Sequence, residues 1–388
     1  MDNFKEEIKK IKKLGYLRER QVNYSPQDVT IEVNRKKIIS FASNDYLGLA
    51  NNTKIKKAFI AAIKRYGVGS GSSPLISGYS LPHKQLEKDI AHHLGFESVL
   101  VTNSGYLSNV GIINAISERK VVVFQDRENH NSIIESSRLA SAKLVRYKHL
   151  SSADLKKKLS QFSSSEKKII FIDSVFSMTG EISPLKDIVK VSKLNKTLLF
   201  IDDAHGFCVL NYPRKDDLLP NICSCLDINK KDIGAYVGTF GKAVGTFGSF
   251  IAGSKNLIEL LIQKAKPYIY STSLPPAIAE ATRESLKIIR KEKNLHTKLH
   301  KNIHLFRKSA EQKNIKLNES LMPIQSITIG NPVDTMRIQK SALKNGLYIQ
   351  GIRYPSVPKN CDKLRINITS KHTHNHIQKL VKFLSKEL

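Results

Sequence analysis

Between residues 98 and 203 the chain repeats one pattern: a short β-branched, apolar run, then a polar or amphipathic stretch of helix length. The runs are V-L-V-T-N, V-V-V-F-Q-D, K-L-V-R-Y, K-I-I-F-I-D and T-L-L-F-I-D-D. Strands that are apolar on both faces need cover on both faces. Alternation with helices therefore predicts an α/β fold with a mostly parallel central sheet flanked by helices. In such sheets ligands collect at the carboxyl ends of the strands. Those ends carry Asn103, Asp126, Asp173, Asp202 and Asp203, which is where a site is sought.

The flanking segments have a different texture. An amphipathic helix is expected from Asp2 to about Lys13, followed by two short strands, T-I-E-V-N and K-I-I-S-F. A loop, N-D-Y-L-G-L, and a helix near residues 53–65 lead into the glycine-rich G-V-G-S-G-S-S-P. After S-T-S-L-P-P, helices are expected over about 277–293 and 296–312, then a smaller α+β C-terminal domain. The division expected is 1–50, 51–280 and 281–388, and 388 residues suffice for more than one core.

Composition narrows the function. The net charge of +29 comes from lysines spread along the whole chain, without interleaved aromatics or a base-reading motif. That argues against a nucleic-acid binder and leaves a field able to steer an anionic substrate, such as a coenzyme A thioester or an acidic carrier protein. No apolar run is long enough to span a bilayer, so no membrane association is expected. The N-terminus mixes charges and lacks a secretory apolar core, so the cytoplasm is the expected compartment. Four cysteines at irregular spacing support neither a disulfide framework nor a metal site.

Chemistry concentrates in a few short stretches. In T-F-G-K-A-V-G, Lys242 sits among glycines and small residues rather than in a polar run. A phosphate-binding P-loop would need Ser or Thr after the lysine and an earlier glycine where Tyr236 stands, so that reading fails. A Schiff-base lysine and a surface lysine in a glycine-rich turn both remain, with Thr239 placed to bind an anion. In F-I-D-D-A-H-G, Asp202 and His205 close a buried strand. A carboxylate beneath a pyridine nitrogen keeps that ring protonated and electron-withdrawing, which suits pyridoxal phosphate, whereas a capping Asp with a solvated His is the plain alternative. T-N-S-G-Y joins strand to helix, where exposed N–H groups bind phosphate, with Gly105 allowing close approach and Tyr106 beside it. His130 follows a strand and is positioned to stack on a ring, and Ser177 to hydrogen-bond a cofactor.

Together, N-D-Y-L-G-L, G-S-G-S-S-P-L-I-S-G-Y, the S-G-Y loop, D-x-V-F-S-M-T-G, D-D-A-H-G, T-F-G-K-A-V-G and Y-S-T-S-L-P-P resemble the α-oxoamine synthases, fold-type I pyridoxal-phosphate enzymes. The resemblance covers nearly the whole chain in family order. It implies that Lys242 holds pyridoxal 5′-phosphate, Asp202 pairs with its ring nitrogen and His130 stacks on the ring. His205, Ser177, Gly105, Tyr106 and Thr239 would contact the cofactor or its phosphate. Ser271 and Thr272 would reach the phosphate in a partner subunit's site, which implies a homodimer with shared active sites. Arg18, Arg353 and Ser356 would contact substrate, with Arg353 forking onto the amino-acid carboxylate.

Within the family, T-F-G-K-A-V-G and V-F-S-M resemble most the member that condenses L-alanine with a pimeloyl thioester, on coenzyme A or an acyl carrier protein, in biotin synthesis. Another member, taking glycine or serine and a different acyl thioester, is the alternative. Three positions depart from the family pattern: Pro74 replaces an arginine, Ser356 replaces a threonine, and F-C-V-L-N-Y-P-R-K follows D-D-A-H-G. These bear on the acyl substrate rather than on the cofactor.

Overall fold

A computed structural model describes residues 2–117, 121–163, 165–210 and 219–388. Contacts divide the chain into two units. The larger comprises Asn52–Phe176 and Ile182–His296; the smaller joins the N-terminus to Asn51 with Ser177–Glu181 and Thr297–Leu388.

The larger unit is built on a seven-stranded sheet. Its strands run in the order Ser98–Thr102, Ser249–Gly253, Ala235–Thr239, Leu198–Asp202, Lys167–Asp173, Val121–Asp126 and Lys143–Tyr147. Pairing is parallel from Ala235–Thr239 through to Lys143–Tyr147, as the apolar runs predict. Ser249–Gly253 is antiparallel to both neighbours. It leaves Ala235–Thr239 through a connection of residues 240–248, too short for the crossover that a parallel partner requires. Lys242 lies in that connection, with Thr239 paired opposite Ser249 at its mouth. The core between sheet and helices is built from Val123, Phe171, Phe200, Ile112, Ile258 and Leu261.

The smaller unit holds two three-stranded sheets. In one, Thr30–Val33 and Lys36–Ser40 form a hairpin, and Leu347–Tyr348 joins Lys36–Ser40 in parallel. In the other, Lys363–Asn367 lies between Ile324–Thr328 and Gln350–Ile352, all antiparallel. The first 51 residues thus share one unit with the C-terminal segment instead of standing apart. The expected boundary near residue 280 falls inside one continuous helix, Pro276–Lys291, whose Ala277, Ala281, Leu286 and Ile289 are buried. That helix packs on Thr53–Tyr66 and Leu81–Leu94 of the larger unit, so the division comes after it. Among the described residues, no helix is long and apolar enough to cross a membrane.

Candidate active site

Asp202 ends its strand directly beside Asp173 in register. Its Oδ1 accepts the Ala204 N–H at 3.0 Å, and its Oδ2 accepts an amide hydrogen of Asn109 at 2.6 Å. Successive strand residues point to opposite faces, and the next carboxylate has a different set of partners. Asp203 accepts from the Ser174 hydroxyl, from Tyr236 at 2.6 Å and from the Ile222 N–H at 3.0 Å. Burial pushes Asp203 up to about 7 against those hydrogen bonds. One aspartate of D-D-A-H is therefore a structural anchor and the other belongs to the site. His205 is buried in the turn that follows.

His130 caps the helix Asn131–Leu139. Its backbone N–H donates to Asp173 Oδ2 at 2.7 Å, and its Nδ1 lies 2.8 Å from the Ser132 hydroxyl. Desolvation holds the ring below the usual histidine pKa; Asp202 opposes that shift and the Lys242 charge adds to it. Burial and the Asp202 charge raise Asp173 well above the carboxylate range, against the His130 N–H and Lys242. Strand register and the His130 N–H link Asp202, Asp173 and His130, and the Lys242 charge acts on both His130 and Asp173. Lys242 itself is half-buried.

Gly105 opens the helix Gly105–Ile116, whose cap Ser104 accepts the Leu107 N–H at 3.3 Å. A Cβ added at Gly105 would meet nothing within 4 Å, so packing within the chain does not demand glycine there. Tyr106 is exposed beside it. The loop is pinned from below by a ring of hydroxyls, Thr102, Ser108 and Ser249, separated by 2.5–2.8 Å. Asn103 donates to the Thr272 carbonyl at 2.7 Å, which ties the loop to Ser271 and Thr272. Thr239 donates to the Gly248 carbonyl at 3.0 Å and so closes the lysine connection at its base.

Four expected site residues belong to the smaller unit. Ser177 is buried, and its carbonyl accepts from Arg365 Nε at 2.7 Å. Arg18, Arg353 and Ser356 line a groove of about 730 Å³ walled by Leu17, Val333 and Met336. The expected fork of Arg353 is spent within the chain, on the carbonyls of Gly15 and Leu17. Burial, and then the like charge of Arg18, lower the Arg353 pKa. Arg18 reaches the Ser356 hydroxyl at 3.4 Å.

The sequence pattern described as aminotransferase class I and II matches residues 36–384. The 8-amino-7-oxononanoate synthase of Saccharophagus degradans is 37% identical over 98% of this chain and 95% of its own. The chain belongs to the α-oxoamine synthase family. Among solved structures, the 8-amino-7-oxononanoate synthase of Francisella tularensis superposes with a TM-score of 0.78 at 29% identity, covering 90% of this chain and 97% of that one. A serine palmitoyltransferase from S. paucimobilis with bound PLP and myriocin reaches 0.92 at 24% identity, over 100% and 96%, a likeness of fold.

The cofactor of α-oxoamine synthases is pyridoxal 5′-phosphate, and the residues present fit it. Asp202 Oδ2 keeps a lone pair after accepting from Asn109, as a protonated ring nitrogen requires. Gly105 opens a helix and a Cβ there would meet nothing within 4 Å, an approach that suits a phosphate. Sequence reasoning missed Asn109 and Ser132, both fully buried. The available signal was an asparagine directly before the apolar run V-G-I-I. Pro74, one of the departures from the family pattern, begins the turn Pro74–Gly78 and lines a cavity with Tyr79, Glu87 and Ser271–Leu274. Of the altered segment after D-D-A-H-G, Phe207–Leu210 are buried, while residues 211–215 lie outside the described residues.

Proposed function

We propose that this protein is a pyridoxal-phosphate-dependent acyltransferase that condenses L-alanine with a pimeloyl thioester, giving 8-amino-7-oxononanoate, carbon dioxide and free thiol. The observation that carries this reading is the near full-length similarity to synthases of that name. The cofactor, when bound, supplies an electron sink for the carbanion at the amino-acid α-carbon. The residues around it divide the remaining work. Lys242 Nζ would hold the cofactor and would serve as the base for the proton on the amino-acid α-carbon. Asp202 keeps the ring nitrogen charged, held in place by Asn109 and the Ala204 N–H. His130 would stack on the ring, and Ser177 and His205 would contact the cofactor. Gly105, Tyr106 and Thr239 would lie near the cofactor or its phosphate. Arg18 and Ser356 would contact substrate and Arg353 would receive the amino-acid carboxylate, which requires Arg353 to exchange its carbonyl partners for the amino acid.

A homodimer with shared sites accompanies this reading. Val68, Ile76, Leu81, Tyr106 and Tyr270 leave large apolar side chains exposed on the larger unit, and Tyr270 directly precedes Ser271 and Thr272. Exposed apolar patches of this kind mark interfaces. The charge of +29 suits an anionic donor, a coenzyme A thioester or an acidic carrier protein alike, and the cytoplasm is the compartment expected for such chemistry.

The test follows thiol release with a panel of amino acids and acyl donors. L-Alanine with pimeloyl-CoA or the pimeloyl carrier protein is expected to be the best pair. Turnover of glycine with acetyl-CoA, without turnover of alanine and pimeloyl donors, would overturn the assignment. Lys242→Ala is expected to lose turnover and the borohydride-sensitive visible absorbance while keeping its fold.

A further inference from the structure

Asn109 is fully buried, and its side-chain nitrogen makes two contacts: 2.6 Å to Asp202 Oδ2 and 2.8 Å to the Ser132 hydroxyl. A carboxylate only accepts, so the amide must present its NH2 there; the opposite flip would set oxygen against oxygen. With one hydrogen directed at each partner, the Ser132 oxygen is an acceptor from Asn109. Its own hydrogen is then free to point at His130 Nδ1, 2.8 Å away. The Ser132 backbone N–H also points at Nδ1, at 3.3 Å. A nitrogen that accepts the hydroxyl hydrogen carries a lone pair, not a proton, and the longer N–H contact holds it only weakly beside the 2.8 Å hydroxyl. Asn109 Oδ1 makes no hydrogen bond among the described residues, so the amide is held by its two donated bonds alone.

We infer that Asn109 is a positioning residue: through Ser132 it couples the Asp202 carboxylate to His130 and fixes that imidazole as the neutral Nε2–H tautomer. The relay runs Asp202, Asn109, Ser132, His130, and the His130 backbone extends it to Asp173. Each bond has one permitted direction, set by the carboxylate at its head. The tautomer follows from this geometry alone. Its consequence for catalysis rests on the proposed function: Nε2–H would be a fixed donor on the imidazole that would meet the cofactor. The depressed pKa of His130 agrees with a neutral ring.

The experiment uses the full chain with selectively 15N-labelled histidine, before and after addition of pyridoxal phosphate. His130→Gln identifies the signals of residue 130. Two-bond proton–nitrogen correlations show which ring nitrogen is protonated. The wild-type chain is expected to show a single Nε2–H form. Ser132→Ala and Asn109→Ala are expected to give tautomer mixtures, and Ser132→Thr to restore the single form. Turnover should fall with the tautomer, roughly ten- to hundredfold, the range typical when a partner that orients a functional imidazole is removed. An Nδ1–H form in the wild type, or an unchanged Nε2–H form in both alanine variants, would overturn the inference. If Asn109→Ala does not fold, Ser132→Ala decides the matter. The tautomer is read without turnover, so failure of the synthase assignment leaves this test intact.

Discussion

The Tyr236 hydroxyl lies 2.6 Å from Asp203 Oδ2, while Asp202, one residue earlier, gives its Oδ2 to Asn109 at the same distance. Two adjacent carboxylates thus act on opposite faces of one sheet. Asp203 joins the strand Ala235–Thr239, the start of the Ile222–Cys225 helix and Ser174 beneath them. Asp203→Ala would leave three buried donors without an acceptor and should cost about 2–4 kcal/mol in denaturant unfolding. Asp202→Ala, by contrast, should lose cofactor affinity first.

The pH dependence of Asp203 has a definite sign. Its folded pKa, about 7, lies above the ordinary 3.8. The folded state therefore holds the proton more tightly, so this contribution to stability is full below about pH 4 and is lost as pH rises toward 7. Asp203→Asn mimics the protonated acid. Its stability relative to wild type should improve as pH climbs through that window, measured by urea titrations at several pH values.

His372 behaves in the opposite sense. It stacks on Phe41 at 4.2 Å, accepts the Thr369 N–H at Nδ1 (2.9 Å) and donates from Nε2 to the Ser40 carbonyl (3.0 Å). Burial lowers its pKa from 6.5 to about 3. The unfolded chain then binds the extra proton, so stability of the smaller unit should fall as pH drops from 6.5 toward 3, by on the order of a few kcal/mol. His372→Gln cannot titrate and should flatten that slope, although it is less stable at neutral pH.

Gly180 closes V-F-S-M-T-G with φ +76°, and a Cβ there would lie 2.3 Å from the Ile324 carbonyl oxygen and 2.4 Å from Ser320 Oγ. The serine also donates to both the Gly180 and Ile324 carbonyls. Gly180→Ala therefore combines left-handed strain with overpacking and should cost about 2–4 kcal/mol, seen as a lowered thermal midpoint.

The strands were legible because fully buried β-branched runs have few other uses, and Asp202 was legible because D-D-A-H ends one of them. The anchoring role of Asp203 was not legible, since it rests on Tyr236, Ser174 and Ile222, all distant in sequence. Asn109 and Ser132 were hidden for a related reason: a lone polar side chain within a helix has no spacing signature, and its meaning comes from the groups it meets, Asp202 for Asn109 and His130 for Ser132. The sharing of one unit by the N- and C-terminal segments rests on Leu347–Tyr348 pairing with Ile39 and Ser40, a contact that local pattern does not encode.

Shared active sites can be tested by complementation. In a homodimer where Ser271 and Thr272 complete the partner's site, a Lys242→Ala chain still lends intact hydroxyls, and a Ser271→Ala/Thr272→Ala chain still carries the lysine. Each variant alone should be nearly inactive as a homodimer. Refolded together at equal amounts, half of the dimers are mixed, and each mixed dimer holds one complete site and one lacking both elements. Activity should recover to about a quarter of the wild-type value. If each site were complete within one chain, mixing would yield only the average of the two inactive preparations. Sedimentation at the assay concentration, together with the activity of the mixture, separates the two outcomes.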